Sequence, residues 1–322
     1  MLGGIADNIR QDFGPHGRGL FAIDPSQPVR IVVPDSLLFS IDDVVLVEGG
    51  LELAPSTGAP PRVAEFFATY QKTLSWSKGG RDEVMTFLEL LNSLPTTVKK
   101  CLFEDFALQH LFAPFDETAL MKRFLYARQF DFKGRSVIMP FLELCNHTWR
   151  ASPFFCGLNS VGVTGIFPNG ELLVCYSRAD TWQRFVQYGF ICEERSAYSL
   201  PIEIKLPTLR LSIGLDPSGE LRDGDMFPQV TFSPGMIALS HLLLGDRKTP
   251  HMPRRIFIRL MQEVGVPDPA NTFDRISHYN RKVFLKLLRI VEDQHGQAVL
   301  AMRRLTRLQL EALSFVMEGR EL

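Results

Sequence analysis

The sequence predicts an α+β protein, and three observations carry that prediction. Short β-branched or aromatic runs separated by Gly, Pro and Asp occupy the N-terminal part. Apolar residues move to helical spacing from Arg62 to Arg128, and the β pattern then returns before a strongly amphipathic helical tail. Strands gathered in blocks, with helices gathered in others, describe an α+β architecture.

The first β block contains Leu20-Phe-Ala-Ile23, Val29-Arg-Ile-Val-Val33, Leu37-Leu-Phe39 and Val44-Val-Leu-Val47, divided by turn residues. Glu48-Gly-Gly50 and the Pro-rich stretch 54–61 read as loop. The helical block follows, with Val63, Phe66, Phe67 and Tyr70, then Val84, Phe87, Leu88 and Leu91, on helix-spaced faces, and Pro95 and Pro114 cut it into helices of ordinary length. Ser136–Met139, Phe154–Leu158, Val161–Val163 and Glu171–Tyr176 restore the strand pattern, and Asn169-Gly170 is a hairpin-turn signal because both residues tolerate positive φ. Thr181–Tyr188 reads as a short helix. Residues 200–250 mix strand and loop around Pro201, Pro207, Pro217, Pro228 and Pro234, helices are expected to dominate from Ile237, and 281–291 and 299–317 are amphipathic. No internal repeat or low-complexity tract is present. Together these segments divide the chain into 1–60, a helical insert over 61–127, a second β region over 128–199 and a mainly helical region over 200–322.

Composition narrows the function classes. The chain has 322 residues, enough for about two domains, with 45% hydrophobic content and 25 Phe. No apolar run approaches the roughly 18 residues of a membrane span, and the N-terminus lacks the basic and apolar regions of a signal peptide. A cytoplasmic protein is therefore expected. Five cysteines, without a C-x-x-C pair, suggest neither a disulfide framework nor a cysteine-rich zinc site, and no metal is expected. The formal charge of −1 conceals an asymmetry: residues 247–322 carry 14 Lys/Arg against 8 Asp/Glu. A basic C-terminal region suits either a solvated helical face or an acidic partner. No nucleic-acid-binding signature accompanies it, and the sequence leaves the oligomeric state open.

Polar residues on apolar segments mark the candidate site. Asn146-His147 ends an otherwise apolar segment, and Tyr176, Tyr188 and Phe190 follow within one later block. Two glycines in Gly17-Arg-Gly19 allow close backbone approach to a ligand, although a plain turn at a strand start would use them as well. Arg128 offers a planar fork suited to a carboxylate, and an ordinary surface ion pair would suit it equally.

Four blocks in this order, His16-Gly-Arg-Gly-Leu-Phe-Ala22, Ala127-Arg-Gln-Phe130, Pro140–His147 and Glu171–Phe190, resemble the SET-domain methyltransferases. The branch they resemble is typified by the plant Rubisco large-subunit lysine methyltransferase, which also carries a helical insert. The resemblance implies a SET fold of small β-sheets with a pseudoknot, S-adenosylmethionine as cofactor, and a lysine ε-amine on a protein that docks on the C-terminal helices. It assigns His16, Gly17, Arg18, Gly19, Arg128, Asn146, His147 and Tyr188 to cofactor binding, with Arg128 meeting the methionine carboxylate. Tyr176 becomes the catalytic residue, and Phe190 part of the substrate channel.

The sequence also departs from that branch. Glu143 stands where Asp is usual, Ala127 stands where the plant enzyme has Ser, and the span from His147 to Tyr176 is short. A second channel tyrosine is missing, with Phe154 or Phe155 in its place. A histidine acceptor and a non-catalytic, partner-binding SET-like module are the alternatives these departures leave open.

Overall fold

The computed structural model describes residues 2–48, 50–112, 115–176, 179–207, 209–214 and 227–318. Gly49, Pro114, Ser177 and Pro217, each part of a segment read above, lie outside the described residues. The fold is α+β, with eight α-helices among the described residues: α1 (Pro61–Thr73), α2 (Arg81–Asn92), α3 (Thr96–Phe106), α4 (Glu117–Arg128), α5 (Thr181–Tyr188), α6 (Met252–Glu263), α7 (Pro269–Glu292) and α8 (Gln297–Glu318). The chain forms two compact units, one of Met1–Glu89 with Pro114–Tyr176 and one of Leu90–Ala113 with Ser177–Leu322.

The first unit is built from small sheets. A four-stranded sheet orders Ile5–Asp7, Val29–Pro34, Ser160–Gly165 and Phe155–Cys156. Val29, Ile31 and Val33 turn one face of the second strand inward, as alternation along a half-buried strand requires. Two hairpins, Ile9–Gly14 with Gly17–Ala22 and Val44–Val47 with Gly50–Leu53, and a three-stranded sheet of Phe39–Ser40, Arg135–Ile138 and Gln129–Phe132 complete most of the β structure. Pro61 opens α1, where a missing N–H costs nothing. Asp116 caps α4 by accepting from the Ala119 N–H at 2.8 Å.

Asn169-Gly170 does turn the chain, with Gly170 at φ +78° and its N–H on Phe167 O at 2.8 Å, but the expected hairpin does not form. The strand Ser160–Gly165 already has neighbours on both edges. The chain after Gly170 therefore pairs elsewhere. Ala22 N–H bonds Gly170 O at 2.7 Å, Leu172 N–H bonds Leu20 O at 2.8 Å, and Leu173–Val174 runs parallel to Asn146–His147. The run Leu37–Phe39 also departs from expectation, since Asp35–Leu37 forms a single 3₁₀ turn before a two-residue strand.

In the second unit, Ile202–Lys205, Arg210–Ile213, Met236–Leu239 and Val230–Ser233 form a four-stranded sheet, and Ser196–Tyr198 pairs with Leu243–Asp246. Strands thus persist to Asp246, and helices take over only from Met252, later than the Ile237 expected. Buried Ile237, Leu239, Leu243 and Leu244 satisfy strand faces as readily as helix faces, which is why short apolar runs mislead. The helical stretch 61–127 is divided between the units because α3 packs within the second: Phe106 meets Trp182 and Phe284 at ring-centroid distances of 4.3 and 5.2 Å, and Lys286 bonds Asp105 at 2.6 Å. α5 spans Thr181–Tyr188 as expected, opened by an Asp180 capping box with Gln183 and closed by Gly189 at φ +83°.

Candidate active site

The site starts from a buried carboxylate. Glu171, the first residue after the Asn-Gly turn, has a side chain only 6% exposed. Its Oε2 lies 2.8 Å from His16 Nδ1, and its Oε1 accepts from Asn146 Nδ2 at 2.8 Å. One side chain therefore fastens the Ile9–Ala22 hairpin to the two-residue strand Asn146–His147. Nothing in the spacing of the sequence singled out Glu171 for this role. An acidic residue opening a buried strand was the available signal.

Gly19 is the tightest point of the assembly. A Cβ built there would fall 2.4 Å from Asn146 Nδ2 and 3.2 Å from Asn146 Cγ, so only glycine lets the Asn146 amide lie against the strand. Gly17 differs, at φ +95° with no atom within 4 Å of its missing Cβ. The turn thus offers open backbone on one side and a filled cradle on the other.

Arg18 and Arg128 converge on one carboxylate. Arg18 Nε donates to Glu83 Oε1 at 2.9 Å and its Nη1 to Leu74 O at 2.8 Å, while Arg128 Nη2 donates to Glu83 Oε2 at 2.8 Å. Arg128 also stacks over Phe124 at 4.2 Å, and its Nε lies 3.4 Å from Glu143 Oε2. Glu143 is fully enclosed, and its Oε1 accepts from Tyr70 Oη at 2.7 Å and Ser75 Oγ at 2.5 Å. Burial, together with the neighbouring Glu143 charge, holds the Tyr70 phenol well above its ordinary range. The longer carboxylate at 143 is thus used in full, tying α1 and the Ser75 turn beneath Arg128. Arg128 Nε and Glu143 Oε2 are each buried without a hydrogen bond, their ion pair being their mutual compensation.

Tyr176 and His147 form the remaining corner. Tyr176 N–H donates to His147 Nδ1 at 3.1 Å, which leaves the proton of a neutral imidazole on Nε2. The Tyr176 hydroxyl donates to Cys145 O, and the two rings lie 5.1 Å apart. Cys145 is enclosed and its thiol is pushed up to about 12 by burial, so it is an inert core residue. Phe154 is buried against Phe130 at 5.9 Å, whereas Phe155 is 41% exposed on its strand.

His16, Arg18, Gly19, Arg128, Asn146, His147 and Tyr176 all belong to the first unit, where Glu171 joins His16 to Asn146, Glu83 and Glu143 hold the arginines, and Tyr176 bonds His147. Tyr188 and Phe190 belong to the second unit, where their rings lie 5.8 Å apart and Arg184 stacks 5.4 Å from the Tyr188 ring. Glu83, Tyr70 and Ser75 carry no signal of this role in the sequence, since a first-turn glutamate, an apolar helix face and a loop explain them in turn.

No family model matches this chain, and no curated protein matches it. Solved structures do resemble it. A crystal structure of the SET domain of LSMT bound to lysine and AdoHcy has a TM-score of 0.42 at 14% identity, covering 99% of this chain and 88% of that one. Rubisco LSMT bound to AdoMet gives 0.43 at 12% identity over 98% and 87%, and Rubisco LSMT bound to sinefungin and monomethyllysine gives 0.44 at 12% over 99% and 89%. With TM-scores below 0.5 these are similarities of chain path, and nothing about this chain's activity follows from them.

Proposed function

We propose that this chain is an S-adenosylmethionine-dependent protein-lysine N-methyltransferase of the SET type. The observation that carries the reading is the convergence of three distant sequence blocks, the Gly17–Gly19 turn, Asn146-His147 and Glu171–Tyr176, in one hydrogen-bonded assembly. A plain core has no need of so many polar side chains in one place.

The donor set suits the cofactor's amino-acid end. A zwitterion needs cations for its carboxylate and acceptors for its ammonium. Arg18 and Arg128 supply the first, and backbone carbonyls of the open turn at Gly17 supply the second. When bound, S-adenosylmethionine supplies an electrophilic methyl on a sulfonium.

Tyr176 is the residue assigned to the reacting end. Its hydroxyl proton is committed to a backbone carbonyl, which fixes the direction of the hydroxyl dipole. A carbonyl cannot take that proton, so Tyr176 acts as a fixed dipole and the acceptor lysine arrives deprotonated. Burial of the amine beside a cation lowers its pKa from about 10.4 and favours that form. Transfer then moves positive charge from sulfur to nitrogen, and alignment together with fixed dipoles supplies the acceleration.

Isothermal titration with S-adenosylhomocysteine, followed by incubation of labelled S-adenosylmethionine with a lysate of the source cells, tests the reading. Saturable binding and label in a protein band, acid-stable and on lysine by amino-acid analysis, are expected. A well-folded protein that binds no S-adenosylhomocysteine would refute it, and label on histidine would correct the acceptor.

A further inference from the structure

The carboxylate shared by Arg18 and Arg128 comes from the first turn of α2, and the three partners differ in how firmly they are held. The Arg18 side chain is 5% exposed, is fixed by Leu74 O, and is roofed by Gly79, whose missing Cβ would lie 3.4 Å from Arg18 Nε. Arg128 is 16% exposed and pinned by Phe124 and Glu143. Glu83 is 46% exposed, and among the described residues its two oxygens have only the guanidinium groups as hydrogen-bond partners. The cations are therefore built in, and the anion between them is the part that can leave.

Charge makes the same distinction. Arg18, Arg128, Glu143 and Glu83 sum to zero. Withdrawal of Glu83 into water leaves one uncompensated positive charge at two enclosed forks, a receptor for another carboxylate with matching bidentate geometry.

We propose that Glu83 is an internal carboxylate that occupies the Arg18–Arg128 pair and is displaced by the carboxylate of the cofactor's amino-acid end, which Arg18 then shares with Arg128. This rests on the cofactor assignment above and adds to it a second recognising arginine and a competing side chain. The exchange replaces one pair of charge-assisted hydrogen bonds by another, so Glu83 sets affinity by competition: the ligand sees only the fraction of molecules whose fork is open. Ligands lacking a carboxylate have no stake in the exchange.

The test is calorimetric titration of the full chain and its Glu83→Gln and Glu83→Asp variants with S-adenosylhomocysteine and with decarboxylated S-adenosylmethionine. An aspartate is too short to hold both guanidiniums. Both variants should bind S-adenosylhomocysteine about five- to tenfold more tightly than the natural chain, as expected if the fork is open in roughly a tenth to a fifth of molecules. Their affinity for the decarboxylated ligand should be unchanged. Arg18→Met should weaken S-adenosylhomocysteine and leave the decarboxylated ligand alone. Unchanged or weaker S-adenosylhomocysteine binding by both Glu83 variants, with unaltered cooperative unfolding, overturns the competition. Equal gains for both ligands overturn it too, since they would mark a general opening of the site. A chain that binds neither ligand in any form overturns the cofactor assignment itself, a result distinct from binding that ignores Glu83.

Discussion

Gly19→Ala should dismantle the site while leaving the rest of the chain folded. Gly19 does not have positive φ, so alanine meets no backbone penalty there and the whole effect is steric. The added methyl would sit 2.4 Å from Asn146 Nδ2, more than an ångström inside the ~3.5–4 Å of ordinary contact. Asn146 is short and tied to Glu171, so it can retreat only by breaking that charge-assisted bond, which contributes about 1.5–3 kcal/mol. Leu144 O, 3.5 Å from the added atom, limits retreat of the strand. With a further ~1 kcal/mol of overpacking, the expected loss is about 2–4 kcal/mol. Denaturant unfolding of Gly19→Ala, Asn146→Ala and the double variant measures it, together with calorimetric titration of S-adenosylhomocysteine. The double variant should be about as stable as Asn146→Ala alone, because removing the amide removes the clash. Additive losses, or a cost below about 0.5 kcal/mol for Gly19→Ala, would refute the packing account. Gly17→Ala is the control, since its methyl has room and only the positive φ opposes it, a penalty of about 1–2 kcal/mol.

Three further outcomes are expected. Glu143→Ala should cost about 2–5 kcal/mol in chemical denaturation, since it takes the acceptor from two enclosed hydroxyls and leaves Arg128 with Glu83 as its remaining counter-charge, while Glu143→Gln should recover part of the loss. In the second unit the enclosed Arg184–Glu194 pair, 2.9 Å apart, predicts a similar loss for Glu194→Ala and a smaller one when both residues become apolar, a contrast read by thermal unfolding. Asp180 is held up to about 6 because burial outweighs its bonds from Gln183 N–H, Tyr198 N–H and Gln309, and the Glu194 charge adds to the rise. A raised carboxyl contributes stability that is complete below its unfolded value of 3.8 and is lost as pH rises through about 6. The stability of the natural chain relative to Asp180→Asn should therefore fall by about 2 kcal/mol between pH 4 and 7. A flat or rising difference in parallel denaturant titrations would show that the three donors outweigh burial.

Local signals in the sequence suffice where the physics is local. Asp180, Gln183 and Gly189 define α5 through capping that involves only neighbours, and the Val29–Val33 alternation defines a strand face. Such signals do not suffice at Asn169-Gly170, where the turn forms but the partner strand has no free edge, a fact decided by pairings more than a hundred residues away. Asn146, His147 and Tyr176 stood out because polar groups interrupted apolar runs. Glu83 did not, because a half-exposed glutamate in the first turn of a helix is ordinary helix chemistry. Only the arrival of Arg18, 65 residues away, and Arg128, 45 residues away, gives it another meaning.

The reach of Glu171 has a kinetic consequence. It joins His16 across 155 residues and Asn146 across 25. Closing the longer loop costs about 4–5 kcal/mol of chain entropy before its contacts repay anything, whereas the hairpins and helices around it close over far shorter spans. The polar assembly therefore forms after the local hairpins and helices, together with the pairing of Val29–Pro34 to Ser160–Gly165, which closes a loop of similar length. Stopped-flow refolding should regain helical ellipticity before ligand binding, and substitutions at Glu171 should accelerate unfolding while barely slowing folding.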